Sequence, residues 1–185
     1  MKKTLIVLLF TFVAVSCQTE NTYQTIKIKK QYSMELPAFL EKTTELNTEA
    51  SLQYQNVFKE LYVIVIDEPK QGFINTMAKQ KSGITADFNG FSDIALENLK
   101  ASLTNFDFSG IENIIVNGLE ARSFSISGTV EGIDVYYKAA HIATATDFYQ
   151  VLTWTLVDKK EKYDAEMNKI IASFKSLKSR SRSAS

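Results

Sequence analysis

Residues 132–177 read GIDVYYKAAHIATATDFYQVLTWTLVDKKEKYDAEMNKIIASFKSL, two apolar runs joined by a short polar turn and followed by an amphipathic segment. From Val135 to Ala143, β-branched and aromatic residues are dense and neither Gly nor Pro interrupts them, which predicts a strand. Side chains then alternate, with Val135, Tyr137, Ala139 and His141 on one face and Tyr136, Lys138, Ala140 and Ile142 on the other. Thr144 to Asp147 is small and polar, and Phe148 to Val157 follows as a second run, so the pair reads as a hairpin. In the second run Phe148, Gln150, Leu152, Trp154 and Leu156 are bulkier and more apolar than the set that alternates with them. The bulkier set is expected to face the helix that follows.

That helix is announced by Asp158 and Glu161, three residues apart, the spacing at which an N-cap oxygen and a reciprocal carboxylate satisfy orphan backbone donors. Tyr163, Met167, Ile170, Ile171 and Phe174 then recur mostly at spacings of three and four, forming one apolar stripe. Burying five such side chains contributes roughly 8–15 kcal/mol gross, an upper bound because the unfolded chain already hides part of that surface.

The ending Ile170-Ile171-Ala172-Ser173-Phe174-Lys175 follows a Tyr/Trp-rich hairpin and, upstream, Asn117-Gly118-Leu119-Glu120-Ala121, while Tyr32-Ser33-Met34-Glu35-Leu36-Pro37 lies near the start. In this order the segments resemble the PsbP/Mog/DcrB-type superfamily over most of the chain after about Thr25. The resemblance implies an α+β fold, an antiparallel β-sheet flanked by helices in a PsbP-like α/β/α sandwich. Its motifs are packing motifs, so it transfers no active site, and members have diverse, mostly non-enzymatic roles.

The N-terminus carries Lys2 and Lys3, an apolar run from Leu5 to Val15 broken only by Thr11, then Ser16 and Cys17. This is the pattern of an export signal over residues 1–16. The apolar run is shorter than the roughly 20 residues a membrane-spanning helix needs. Val13 to Cys17 resembles a bacterial lipobox, with Ala14 where Leu is commoner, and makes Cys17 the candidate lipidation site; a plain cleavable signal with an incidental Cys is the alternative. Acylation, with palmitate among the chains, would anchor the protein to a membrane, because each buried methylene contributes about 0.8 kcal/mol. Cys17 is the sole cysteine, so an intramolecular disulfide, a Cys-based zinc cluster and a dithiol redox motif are excluded. Gln18 to Asn21 contains a single acid and no acidic surface-export tag, which favours a side facing the periplasm.

Residues 17–24 are polar apart from Cys17 and Tyr23 and read as a tether. Without residues 1–16 the chain carries 19 basic and 21 acidic residues, a net charge of −2, and the part before the last eleven residues is at −6. Such a balance gives no electrostatic footprint for nucleic acid. The tail 178–185 is built of Ser, Arg, Lys and Ala and cannot bury a core, so it is expected to be disordered, with contact to anionic lipid as the alternative.

A single domain is expected over residues 25–177. Thr25 to Lys29 and Tyr32 to Leu36 alternate as strands, the second stopping at Pro37. Ser51 to Gln55 and Glu60 to Asp67 form the next pair, the latter continuously apolar from Leu61 to Ile66 and therefore covered on both faces. Phe73 to Ala78 is weakly helical. Ser92 is placed to cap a helix whose stripe is Ala95, Leu96, Leu99 and Leu103, preceded by Phe91. Ile111 to Val116 and Leu119 to Ser127 flank Asn117-Gly118, a strong two-residue hairpin signal, and Gly128 to Gly132 is read as a loop.

His141 is the sole histidine, and no Gly-x-Ser-x-Gly elbow accompanies it. Mid-strand it fits a packed or half-exposed residue better than a catalytic base. Asp87, Asp93 and Glu97 lack the spacing of an EF-hand loop, and no Walker loop or dinucleotide fingerprint is present, so neither metal nor cofactor is expected. Tyr136, Tyr137, Phe148, Tyr149 and Trp154 could line a ligand pocket, although rings in sheets usually pack against neighbouring strands and helices. The leading expectation is a non-catalytic, membrane-anchored binding or assembly module of the bacterial cell envelope, with an envelope protein of unknown identity as partner. A small-ligand or lipid carrier using the aromatic hairpin and a hydrolase using His141 are the alternatives. A deep cavity lined by Tyr137 and Trp154 would favour the carrier, and a nucleophile within hydrogen-bond reach of His141 the hydrolase.

Cys17→Ser should abolish acylation and move the protein out of the membrane fraction. Mass spectrometry of the purified mature chain decides the matter: an unmodified Cys17 still preceded by residues 1–16 would rule out the lipoprotein reading.

Overall fold

The computed structural model describes residues 22–80 and 83–177. The expected signal segment 1–16, Cys17, most of the tether and the tail 178–185 lie outside the described residues. Eleven strands and three helices are described: β1 (Tyr23–Ile28), β2 (Tyr32–Pro37), β3 (Glu41–Lys42), β4 (Ala50–Asn56), β5 (Leu61–Pro69), α1 (Lys70–Lys79), α2 (Phe88–Ala101), β6 (Thr104–Phe108), β7 (Glu112–Val116), β8 (Leu119–Val130), β9 (Ile133–Ala143), β10 (Asp147–Leu156), α3 (Lys160–Ala172) and β11 (Lys175–Ser176). An antiparallel sheet of eight strands runs β3-β4-β5-β10-β9-β8-β6, with β7 also pairing with β8. A second sheet, β1-β2-β11, was not anticipated; it forms because the two residues of β11 pair with Tyr32 and Ser33 after the chain leaves α3. β1 opens at Tyr23, two residues earlier than the expected domain start, and Gln24 donates its amide to the Leu40 carbonyl at 2.8 Å.

Both faces of the large sheet are covered. On one, Tyr163, Met167, Ile170 and Ile171 of α3 pack with Tyr32, Met34 and Leu36 of β2 against Leu61, Val63, Val65, Tyr136, Ala140, Ile142, Tyr149 and Val151. On the other, Leu96 of α2 and the following Leu103 meet Ile64, Phe124, Ile126, Val135, Ala139 and Leu152. Phe73 of α1, Phe88 and Phe91 of α2 and Phe148 close the end of that second face. The unbroken run in β5 is therefore covered on both sides, as its composition predicts.

The terminal helix lies on the opposite face of β10 from the one expected. It covers Tyr149 and Val151, with Thr153 and Thr155 also buried, whereas Leu152, Trp154 and Leu156 turn to the α2 side and Phe148 to the phenylalanine cluster. Bulk could not decide the side because both faces are covered: hydrophobic burial is non-directional and both sets satisfy it. The helix also starts differently. Val157–Lys159 forms a 3₁₀ turn, α3 begins at Lys160, and neither start has a side-chain cap, so the Asp158–Glu161 box is not formed. An ion pair from Lys159 to Glu60 ties this entry to β5 instead.

Ser92 is not a cap either. α2 begins four residues earlier, where the Asp87 carboxylate accepts the Gly90 N–H at 3.0 Å. The expected Gly128–Gly132 loop shrinks to a two-residue turn, Glu131-Gly132, and Gly128 lies within β8. A Cβ at Gly128 would stand 3.1 Å from the Phe106 Cβ and 3.2 Å from the Leu103 Cβ, so this glycine allows close packing over the sheet. The Asn117-Gly118 hairpin forms as read, with φ of 48° and 80°, the left-handed pair of a type I′ turn. The Asn117 side chain also donates to the Ala172 and Phe174 carbonyls, both at 2.8 Å, satisfying acceptors left over at the end of α3.

Met167→Ala should cost about 2–5 kcal/mol, because the fully buried side chain leaves a cavity between α3 and the sheet. Lys169→Ala on the exposed side should change stability by less than about 0.5 kcal/mol. Equal urea midpoints for the two variants would contradict the packing described for α3.

Candidate functional site

His141 is the chain's one imidazole, and β9 points it at α2, where Ser92 Oγ lies 2.8 Å from His141 Nδ1. The two residues are 49 apart in sequence and each is 1% exposed. Phe91 and Phe124 stand edge-on to the imidazole with ring centroids 5.9 and 5.2 Å away. Arg122, the register partner of His141 on β8, turns its guanidinium to Asp93 Oδ1 at 2.8 Å and the Asn89 carbonyl at 3.2 Å. Burial, with the Arg122 charge adding to it, pushes the His141 pKa down to about 3. The imidazole is therefore neutral at physiological pH and is held by a serine on a rigid helix.

A hydroxyl beside an imidazole is the chemical start of nucleophilic catalysis. The sequence reading found no such partner because Ser92 was assigned to a helix end. The available signal was its spacing: Ser92 precedes Ala95 and Leu96 by three and four, which puts a polar side chain on the apolar stripe. The geometry, however, encloses the pair. A substrate carbonyl must come within about 3 Å of the nucleophile, and Phe91 and Phe124 pack against the imidazole at a depth where neither residue meets solvent.

The five aromatic residues of the hairpin do not form one wall. Tyr136 and Tyr149 are buried on the α3 side and Phe148 in the phenylalanine cluster. Tyr137 and Trp154 are half-buried on the α2 side, and a third ring joins them. Trp154 pairs in register with Tyr62 on β5 and Tyr137 on β9. The Tyr62–Trp154 centroids are 5.1 Å apart with planes 9° apart, and the Tyr137–Trp154 centroids 5.8 Å with planes 31° apart. The result is a cross-strand ladder of three half-buried rings, with Leu156 two residues along β10 from Trp154 on the same face. Tyr62 was missed because its apolar run gives no hint of which residues it meets across the sheet.

Open clefts lie elsewhere. One of about 330 Å³ is bordered by Glu41, Lys42, Thr43, Glu45, Asn56 and Phe58, and one of about 610 Å³ by Ile28, Lys29, Gln31, Ala50, Ser51 and Asp67. Neither includes Tyr137 or Trp154. The acidic residues singled out in the sequence have separate tasks: Asp87 caps α2, Asp93 pairs with Arg122 and Glu97 with Lys100 at 2.9 Å. Among the described residues no three His, Cys, Asp or Glu side chains gather as a metal site, and no helix is long and apolar enough to cross a membrane.

The fold is PsbP-like. A cyanobacterial PsbP, CyanoP from Synechocystis sp. PCC 6803, superposes with a TM-score of 0.59 at 10% identity, covering 84% of this chain and 93% of its own. LpqN of Mycobacterium tuberculosis, described as involved in cell envelope biogenesis, superposes with a TM-score of 0.52 at 11% identity, covering 84% and 90%. At these identities the likeness is one of fold. No family model matches the sequence, and no curated protein matches it.

His141 gives the site a pH signature. Its folded pKa lies below its unfolded value of about 6.5. Between the two, the unfolded chain binds a proton that the folded chain does not. Its contribution to stability is therefore fully present above pH 6.5 and lost as pH falls toward 3, on the order of 1 kcal/mol per pH unit. His141→Gln should flatten this part of the profile in urea titrations between pH 7 and 4; an unchanged slope would contradict the burial of a neutral imidazole.

Proposed function

We propose that this protein is a non-catalytic binding or assembly module of the bacterial cell envelope, anchored to the membrane through an acylated Cys17 and facing the periplasm. The observation that carries the non-catalytic part is the enclosure of Ser92 and His141, each 1% exposed behind aromatic rings. A base held neutral with a pKa of about 3 and a nucleophile out of reach of substrate serve packing, not turnover. The lipobox at Val13–Cys17 supports the anchor, and the involvement of the similarly folded LpqN in envelope biogenesis is in keeping with the location.

The binding surface is the Tyr62–Trp154–Tyr137 ladder. Rings fixed by cross-strand stacking lose little entropy when a partner covers their edges, which suits them as anchors for association. Leu156, on the same face of β10, extends the apolar area. The partner is accordingly expected to present an apolar or aromatic surface.

Complementation of a deletion strain, at matched protein levels, separates this reading from a hydrolase. Ser92→Ala should keep full function, while the double substitution Tyr62→Ser, Tyr137→Ser should lose it and cost about 1–3 kcal/mol of stability from the lost ring pairs. Loss of function in a normally folded, normally abundant Ser92→Ala protein would overturn the proposal and favour the hydrolase.

A further inference from the structure

Phe58 is 96% exposed and the adjacent Val57 58%, both at the turn between β4 and β5. The turn is held firmly. The Asn56 carboxamide accepts the Lys59 N–H at 2.8 Å and donates to the Phe39 carbonyl at 2.8 Å, and Glu60 at the turn's far side is paired with Lys159. Lys59 Nζ lies 5.1 Å above the Phe39 ring. Two large apolar side chains are thus projected into solvent from a pinned hairpin end.

The same end of the sheet carries other exposed apolar groups. Trp154 pairs with Tyr62 and Leu156 with Val135, so the 3₁₀ turn and the β8–β9 turn lie alongside the β4–β5 turn. They present Val157 and Ile133. The N-terminal segment also enters the fold here: the Thr22 carbonyl accepts the Ala38 N–H at 2.8 Å, one residue before the Phe39 that Asn56 holds. Cys17 is five residues before Thr22, so the intervening chain spans at most about 18 Å. An anchor at Cys17 would keep this end of the domain against the bilayer.

We infer that the β4–β5 turn seats Val57 and Phe58 in the membrane interface beside the acylated Cys17, fixing the domain to the bilayer at two points. This rests on the anchored reading above. Once the anchor confines the domain, insertion of the turn is an intramolecular event at high effective concentration, so two side chains suffice where they would be too few for a free protein. Lys42 borders the cleft beside Val57 and Phe58, and Lys59 follows Phe58 with its ammonium over the Phe39 ring, so both charges stand next to the tip, where the headgroup layer can accept them. Glu41 and Glu45 on the neighbouring rim offset them, so insertion is driven by apolar contact and does not require anionic lipid.

The test uses the full chain, purified from membranes and reconstituted into phosphatidylcholine vesicles whose acyl chains are brominated to quench tryptophan. Wild type has only Trp154, so Phe58→Trp adds one emitter at the tip and Ile115→Trp one at a 72% exposed position on β7 toward the opposite end. The added emission of Phe58→Trp should be blue-shifted in unbrominated vesicles and lost in brominated ones, while Ile115→Trp keeps its added emission in both. Protein that floats with the vesicles but whose residue 58 is unquenched would overturn the insertion and leave the anchor standing. Protein that fails to float and shows an unmodified Cys17 by mass spectrometry would overturn both.

Discussion

Three fully buried rings hold the molecule together: Tyr32 of β2, Tyr149 of β10 and Phe174, just beyond α3. Their centroids are 5.2 Å apart for Tyr32–Tyr149, 5.1 Å for Tyr32–Phe174 and 5.0 Å for Tyr149–Phe174. One ring comes from the small sheet, one from the large sheet and one from the end of the terminal helix, so each pair fixes one layer against another. The Tyr149 hydroxyl has no hydrogen-bond partner among the described residues, a penalty on the order of 1–3 kcal/mol. Burial of the rings, roughly 1.5–3 kcal/mol for each, outweighs it. Asn117, reaching from the β7–β8 turn to the carbonyls of Ala172 and Phe174, keeps the third ring in place.

With α3 fixed on that side, the other face of β9 and β10 is left to α1 and α2, and the character of the candidate site follows. Ser92 and His141 satisfy each other because the face that receives α2 has no water to offer either of them. Burial favours the neutral ring, and the Arg122 charge at the margin adds to it. Polar groups that would be reactive in an open cleft here specify how a helix sits on a sheet.

Where the layers run out, the chain offers surface instead. Tyr62, Trp154 and Tyr137 stack on the α2 side of the sheet and stay half-buried. The β4–β5 turn leaves Val57 and Phe58 exposed. Nearby, the groups joining layers are charged or polar: Asp164 of α3 accepts from Tyr136 Oη and Lys138 Nζ of β9, both at 2.6 Å. Burial opposes ionisation of Asp164, but these donors outweigh it and hold the carboxyl below its usual range.

Local patterns in the sequence determined eight of the described strands, all but β3, β6 and β11, together with the Asn117-Gly118 turn, the stripe of α3 and the double coverage of β5, because each depends on residues adjacent along the chain or one helical turn away. Backbone geometry allows only those periods, so the pattern is readable without knowing what lies opposite. The side on which α3 packs, the pairing of β11 with β2, the meeting of Ser92 with His141 and the recruitment of Tyr62 to the ladder were decided by tertiary structure. Each joins residues distant in sequence through strand register or helix placement, and apolar burial alone favours neither face of a strand that is covered on both.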